Sequence, residues 1–343
     1  MRSKNIHFII SVKILIVFVF ASILFCPNNS FPQKSSKSIS MQLMHLFEHK
    51  NHLPYKAKFS VDGKFLICES FSGSFDSKTG KLRIGMEGME YLIYDVMNNQ
   101  VVSSLIDTKM LGFNYRNDYL VEKDGIVLCN FNDGTMITKI SETPGQVVLS
   151  SDGKYAAVIL SNEKIFIYDF ITNQKLEEYS VAGFKKDTGK IYLIDNKTLL
   201  QLLKNDSGLV LKDIIHNSVL NNYSCNNSNL VNVAYAPNGI GVAASSKDSI
   251  YVWNILDNNS LTVRPFPHEK GFNAFNYSRD GMLIGAGSAS MDLLIYDRVK
   301  DELNFQIGFH AAPITDVVFS PVDNIVVTTS FDGTMKVWTL EKK

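Results

Sequence analysis

The chain has 343 residues, 45% hydrophobic, 20% charged and 11% aromatic, and its 34 Lys and Arg are balanced by 34 Asp and Glu. This is the composition of a globular protein long enough for one large domain. The zero net charge argues against wholesale binding to nucleic acid phosphates, so no nucleic-acid partner is expected. Four scattered cysteines without a C-x-x-C pair supply neither a disulfide framework nor a zinc knuckle, and Cys68 and Cys129 read as small apolar core residues.

The first 26 residues are a targeting segment. Arg2, Lys4 and Lys13 precede the uncharged run Ile14 to Cys26, and a polar stretch opening with Pro27 follows. A basic start, an apolar stretch and a polar exit have the layout of a secretory signal peptide. Counted from Phe8 the segment reaches 19 residues, enough to span a bilayer as an uncleaved anchor. Residues 1–26 are therefore expected to be a signal peptide or a membrane anchor, with 8–26 as the membrane tether in the second case; lipidation at Cys26 is a third outcome. Residues 27–40 read as a flexible tether. Each outcome keeps the basic end inside and places the remainder outside the cytoplasm, secreted, periplasmic or anchored facing outward.

From residue 41 to 343 the chain is an array of repeats. One pattern recurs: an apolar alternation, a turn of the type Phe-Ser-x-Asp-Gly, a second alternation, and a β-rich run ending in Trp or Tyr plus Asp. The clearest turns are Phe59 to Gly63, Ser150 to Gly153, Tyr235 to Gly239, Tyr277 to Gly281 and Phe319 to Pro321. The last two steps between anchors are 42 residues each, and the earlier ones, 90 and 86, are about twice a unit of 40 to 45. Two weaker units must fill the gaps, with candidate turns at Phe113 to Asp118 and Phe184 to Lys190, which makes seven. Ile-Tyr-Asp recurs at residues 93–95, 167–169 and 295–297, with Val252-Trp253-Asn254 and Val337-Trp338-Thr339 in the corresponding places. Short β-branched and aromatic runs at this pitch, broken by Asp-Gly and Asn-Gly turns, predict an all-β array of antiparallel strands.

With these residues in view the sequence resembles the WD-repeat family of β-propellers. The last unit, from Gly308-Phe309-His310 through Phe319-Ser320-Pro321 to Ser330-Phe331-Asp332-Gly333 and Trp338, is close to the family consensus over its whole length. The resemblance implies a seven-bladed β-propeller of four-stranded antiparallel blades around a central channel. It also implies a hydrogen-bonded set of His, Ser or Thr, Asp and Trp in each blade, which by position is His310, Ser330, Asp332 and Trp338 in the last. The fifth unit keeps Ser246, Asp248 and Trp253 but has Asn226 for the His, and the sixth keeps His268 and Ser288 but has Ser290 for the Asp and Tyr296 for the Trp. The set is read as structural, not catalytic.

The two ends of the array explain how a ring closes. The last unit stops three residues after Leu340 and lacks its final strand, while Gln42 to Phe47, ahead of the first unit, resembles the end of a blade. The segment is expected to add to the last blade as its outer strand.

Little else suggests chemistry. His45, His49 and His52 have spacings that metal sites use, but His49 lies within one residue of the turn His that the family resemblance implies, and no metal, cofactor or catalytic residue is assigned. Asp187-Thr188-Gly189 reads as a turn. The best specific surface is an insertion in the first unit, about Gly73 to Met89, in which Lys78, Lys81 and Arg83 interleave with Leu82, Ile84 and Met86 around a turn at Asp76 to Gly80. This is the candidate partner-binding loop, because exposed loops on rigid scaffolds carry binding more often than the scaffold does; lengthening of a blade is the other reading. The expected function is that of a monomeric, non-catalytic scaffold binding protein or peptide partners. The alternative is an exported propeller enzyme acting on a small molecule or glycan in the channel.

Overall fold

A computed structural model describes residues 39–48, 51–76, 78–161, 163–181, 189–205, 208–225, 229–265, 271–306 and 309–342. The apolar run of the first 26 residues lies outside this set, as do His49, Asn226, His268 and the Asp187-Thr188 turn. Among the described residues no helix is long and apolar enough to cross a membrane.

Strand β1 (Ile39–Glu48) stands apart from the first blade, which is built of β2 (His52–Phe59), β3 (Phe65–Asp76), β4 (Lys81–Asp95) and β5 (Gln100–Ile106). The second comprises β6 (Lys109–Phe113), β7 (Tyr119–Glu122), β8 (Ile126–Cys129) and β9 (Met136–Ser141). The third comprises β10 (Gln146–Leu149), β11 (Tyr155–Ile159), β12 (Lys164–Asp169) and β13 (Gln174–Ser180). Blade four is β14 (Lys190–Leu193), β15 (Leu199–Asn205), β16 (Gly208–Asp213) and β17 (Ser218–Ser224), and blade five is β18 (Asn232–Tyr235), β19 (Gly241–Ser245), β20 (Ser249–Asn254) and β21 (Ser260–Pro265). Blade six is β22 (Phe272–Tyr277), β23 (Leu283–Ser288), β24 (Leu293–Asp297) and β25 (Glu302–Gln306); β26 (Ile314–Phe319), β27 (Ile325–Ser330) and β28 (Thr334–Lys342) begin the seventh. The seven sheets have four strands each and pair antiparallel in chain order, and β1 completes the last of them beside β28.

The Ser-x-Asp-Gly pattern has a local cause. In the first, third and sixth blades the turn Ser donates its hydroxyl to the Asp two residues on, at 2.7, 2.7 and 2.6 Å, and accepts the backbone N–H of the residue opening the next strand, at 3.0, 3.0 and 2.9 Å. The Gly that follows sits at φ 72, 68 and 66°, in the left-handed region where a Cβ is costly. Blade two makes the same turn without Ser or Gly: the Asn114 side chain accepts the Arg116 and Asp118 N–H groups, and Asn117 takes the left-handed position at φ 68°. In blade four the turn is not at Phe184 to Lys190, the position expected from sequence. It lies at Ile194 to Thr198, where Ile194 N–H bonds the Thr198 carbonyl and Asp195 accepts the Lys197 and Thr198 N–H groups. Lys190 opens the first strand of that blade instead. With no Gly and no aromatic at this turn, only its Asp matches the other units.

The blades stack face to face, and each junction is one apolar layer. Seven such layers follow one another around the ring, for example Ile67, Tyr91 and Ile93 of blade one against Met110, Phe113 and Val121 of blade two. Apolar area removed from water at each junction, at about 25 cal/mol per Å², is the main stabilising term. Cys68 and Cys129 are buried free thiols in these layers, as is Cys225. The junction between blades seven and one holds by the same means. Within blade seven β1 pairs with β28 from Ile39↔Lys342 to Glu48↔Thr334, so the closing strand is longer at its start than the expected Gln42 to Phe47 and takes in the end of the predicted tether.

Candidate functional site

Three places bring polar side chains together: the network in the last blade, the hairpin of the first blade, and the channel.

In the last blade His310 precedes β26 and is buried, 4% exposed, where a neutral imidazole needs partners for both nitrogens. The Trp338 indole N–H donates to the Thr328 hydroxyl oxygen at 3.2 Å. Thr328 is 2.7 Å from His310 Nε2, and His310 Nδ1 is 2.9 Å from the Asp332 carboxylate. An indole only donates, so the chain is satisfied in one direction: Thr328 donates to Nε2, and Nδ1–H donates to Asp332. Burial lowers the pKa of His310, and the hydrogen bond to Asp332 offsets only part of that, so the ring is neutral. For Asp332 burial pushes the other way and is outweighed by the His310, Thr334 and Ala311 donors, which hold the carboxyl well below the usual range. Phe309 stacks on Trp338 with ring centroids 3.7 Å apart.

The hydroxyl in this set is therefore Thr328, not the Ser330 expected from sequence. Ser330 donates to the Ala312 carbonyl at 3.0 Å and accepts the Asp332 N–H at 3.1 Å, which shapes the turn. Its counterparts do the same: Ser288 accepts the Ser290 and Asp292 N–H groups, and Ser246 those of Asp248 and Ser249. The Ser recurs because the turn needs it. Two residues upstream, on the same face of the strand, blade seven has Thr328 where blades six and five have Ala286 and Ala244. That contrast is the signal the sequence offers. In blade five Trp253 donates to the Ser224 backbone carbonyl at 3.2 Å, while Ser246 and Asp248 bond each other at 2.7 Å, so those three do not form a network. In blade six the Tyr296 hydroxyl donates to Asp301 at 2.7 Å.

The blade-one insertion is a hairpin formed by the far ends of β3 and β4. Its register runs Gly73↔Ile84, Ser74↔Arg83, Phe75↔Leu82, Asp76↔Lys81. The Asp76 carboxylate accepts the Lys78 and Thr79 N–H groups and the Thr79 hydroxyl, and Gly80 at φ 67° completes the turn. Strand alternation then divides the side chains. Phe75 and Leu82 share one face and join Phe71, Leu53 and Ala312 around Phe331 of the last blade, with ring centroids 6.1 Å from Phe71 and 6.3 Å from Phe75. Lys78, Lys81, Arg83 and Ile84 are exposed. Leu82 thus anchors the hairpin instead of forming part of a free surface, and the side chain of Met86 falls outside the described residues. The two described histidines of the His45, His49 and His52 triplet part company: His45 pairs with Val337 on β1, and His52 lies 3.7 Å from Glu90.

The channel is bounded by the first strands of the blades, several of which touch their neighbours. Lys190 on β14 donates to the Phe275 carbonyl on β22 at 3.3 Å, and Lys58 on β2 to the Leu111 carbonyl on β6 at 3.4 Å. Burial lowers the pKa of both, against the raising effect of Glu69 on Lys58 and of Asp316 on Lys190. Asp316 on β26 is raised, chiefly by burial, although it accepts the Ala57 N–H at 3.0 Å and the Val317 N–H at 2.9 Å.

Comparison with known proteins agrees with this architecture. The WD domain, G-beta repeat family matches residues 302–339, which hold the His310, Thr328, Asp332 and Trp338 set. Over 222 residues, 62% of its length, the chain is 21% identical to the Periodic tryptophan protein 2 homolog of Caenorhabditis elegans, and over 211 residues, 58%, it is 23% identical to Periodic tryptophan protein 2 of Saccharomyces cerevisiae. It spans about a quarter of those relatives, 24% and 22% of their lengths. From the seven sheets and the strand-closed ring the chain is a seven-bladed β-propeller, and its last unit is similar to the WD domain, G-beta repeat.

Proposed function

We propose that the chain is a non-catalytic interaction scaffold that binds a protein or peptide partner through the blade-one hairpin. The observation that carries this is the division of the hairpin into an anchored and an offered side. Phe75 and Leu82 hold it against Phe331, while Lys81 and Arg83 stand exposed on the opposite face of a rigid support. A surface that is fixed before the partner arrives loses little entropy on binding. Two basic groups side by side on one exposed face suit an acidic segment of a partner. The partner is expected on the outer side of the cytoplasmic membrane, an expectation that rests on residues 1–26 of the sequence; fractionation of cells carrying the full chain tests it separately, and a cytoplasmic product would remove it.

Deleting the hairpin would also remove Phe75 and Leu82 from the closing junction, so charge reversal is the cleaner experiment. Affinity capture with the full chain and with Lys81→Glu plus Arg83→Glu should recover a partner with the first and lose it with the second, at unchanged melting temperature. Capture that is indifferent to the reversal would move the binding surface elsewhere on the ring.

A further inference from the structure

The lumen carries a cluster of lysines that the scaffold reading does not use. Four residues before the turn that ends each blade's first strand, the inner wall presents Lys56, Lys190 and Asp316 among polar Gln146 and Asn232. Lys190 extends from blade four to a carbonyl on blade six, past blade five, so its side chain crosses the lumen. Lys58 also stands 3.8 Å from Glu69 and remains 48% exposed, as a group does that is enclosed by walls yet reached by water. Lys56 lies within electrostatic range of both Lys58 and Lys190, with its ammonium 5.4 Å from the Tyr55 ring.

The acidic groups facing this space are already engaged. Asp316 accepts two backbone N–H groups and is 3.4 Å from the Asn276 amide nitrogen, and Glu69 accepts the Tyr55 hydroxyl at 2.8 Å beside the Lys58 ammonium at 3.8 Å. Each ammonium has three donors, and the two carbonyl bonds that Lys58 and Lys190 make are long ones to uncharged acceptors. Enclosed cations with spare donors attract an anion more strongly than surface lysines do, because the field is less screened.

We propose that Lys56, Lys58 and Lys190 form a lumenal site for a small phosphate-type anion. Three point-charge donors, Lys56 and Lys58 from blade one and Lys190 from blade four, suit the several oxygens of a phosphoryl group. A lumen bridged by one lysine side chain admits an inorganic anion or a single phosphoryl group and is too narrow for a folded peptide.

The test is titration calorimetry of the full chain with pyrophosphate at low ionic strength. One equivalent should bind. Lys58→Met with Lys190→Met should weaken binding about tenfold or more, and Lys81→Ala with Arg83→Ala should leave it unchanged. If the double lumenal variant does not fold, Lys56→Met, which breaks no hydrogen bond among the described residues, provides the same readout with a smaller loss. Absence of binding by the unmodified chain, binding indifferent to the lumenal lysines, or binding that follows Lys81 and Arg83 would each overturn the site.

Discussion

Blades seven and five place a tryptophan at equivalent strand positions and bury both, Trp338 at 9% and Trp253 at 1% exposed, yet they satisfy the indole N–H by different means. Trp338 donates into a side-chain relay of Thr328, His310 and Asp332, and Trp253 donates to one backbone carbonyl. Both blades have the same four strands and face neighbours through layers of similar make. The blade therefore needs the packed ring and a partner for its N–H, and the relay is one solution among several. What the relay adds is local: it ties the segment before β26 to the turn after β27, in the blade that β1 completes.

The comparison is broken most severely by removing the rings. Trp338→Ala and Trp253→Ala should each cost about 3 kcal/mol or more in chemical denaturation, through cavity formation; a clear gap in favour of Trp338 would mean that the relay outweighs packing. Thr328→Val keeps the shape and removes the hydroxyl, leaving His310 Nε2 and the Trp338 N–H unpartnered, and is expected to cost about 1–3 kcal/mol. Combined with His310→Ala it should show strong non-additivity in a double-mutant cycle, whereas Ala244→Thr in blade five has no imidazole among the described residues to meet and should gain nothing.

Acid gives a smaller effect that separates the two blades without touching the rings. His310 is held below its ordinary pKa of 6.5 in the fold, so the unfolded chain binds more protons beneath that value. Its contribution is complete above pH 6.5 and is lost as the pH falls below it. Asp332, held below 3.8, adds a second loss at lower pH. Melting temperatures measured from pH 8 to pH 5 should therefore fall, and His310→Phe should flatten the curve. The smallest effect is expected at the hairpin tip, where Lys81→Ala with Arg83→Ala should leave stability within about 0.5 kcal/mol. Damage as large as that of Trp338→Ala would mean that scaffold and surface have been divided in the wrong place.

Much of the fold is legible in the sequence because its cause is local. The Ser-x-Asp-Gly turns and their close variants mark five of seven blades: in three a hydroxyl, a carboxylate and a left-handed Gly do the same work, in blade five Asn238 and Gly239 replace them, and in blade seven Ser320 alone remains. The fourth turn escapes that reading because Asp195 alone carries it, with a Thr in place of the Ser and Gly. The last-blade network is legible in His310, Asp332 and Trp338 but not in its hydroxyl. Ser330 and Thr328 share a strand face, and the family resemblance points to the Ser, while the contrast of Thr328 with Ala286 and Ala244 is the one sequence sign of which reaches the imidazole. The hairpin's existence is readable from its turn, yet the anchoring of Leu82 on Phe331 joins residues far apart in sequence and has no local signature. The lumenal lysines are hidden for the same reason: Lys56 and Lys190 are ordinary polar residues until the ring brings them together.

The closing strand has a consequence for biosynthesis. Among the described strands β1 is made first and its partner β28 last, with Ser40 and Glu341 hydrogen-bonded across 301 residues. At about 5–20 residues per second on a ribosome, β1 waits tens of seconds with an unpaired edge and with Leu43 and Leu46 able to meet other nascent chains. The sixth blade can be complete while the seventh is still one strand short of a sheet, so closure waits for β1 to dock on β28, a step no earlier blade needs. Crowded polysomes, where several copies carry the same unpaired strand, are where exchange of β1 between chains competes with closure.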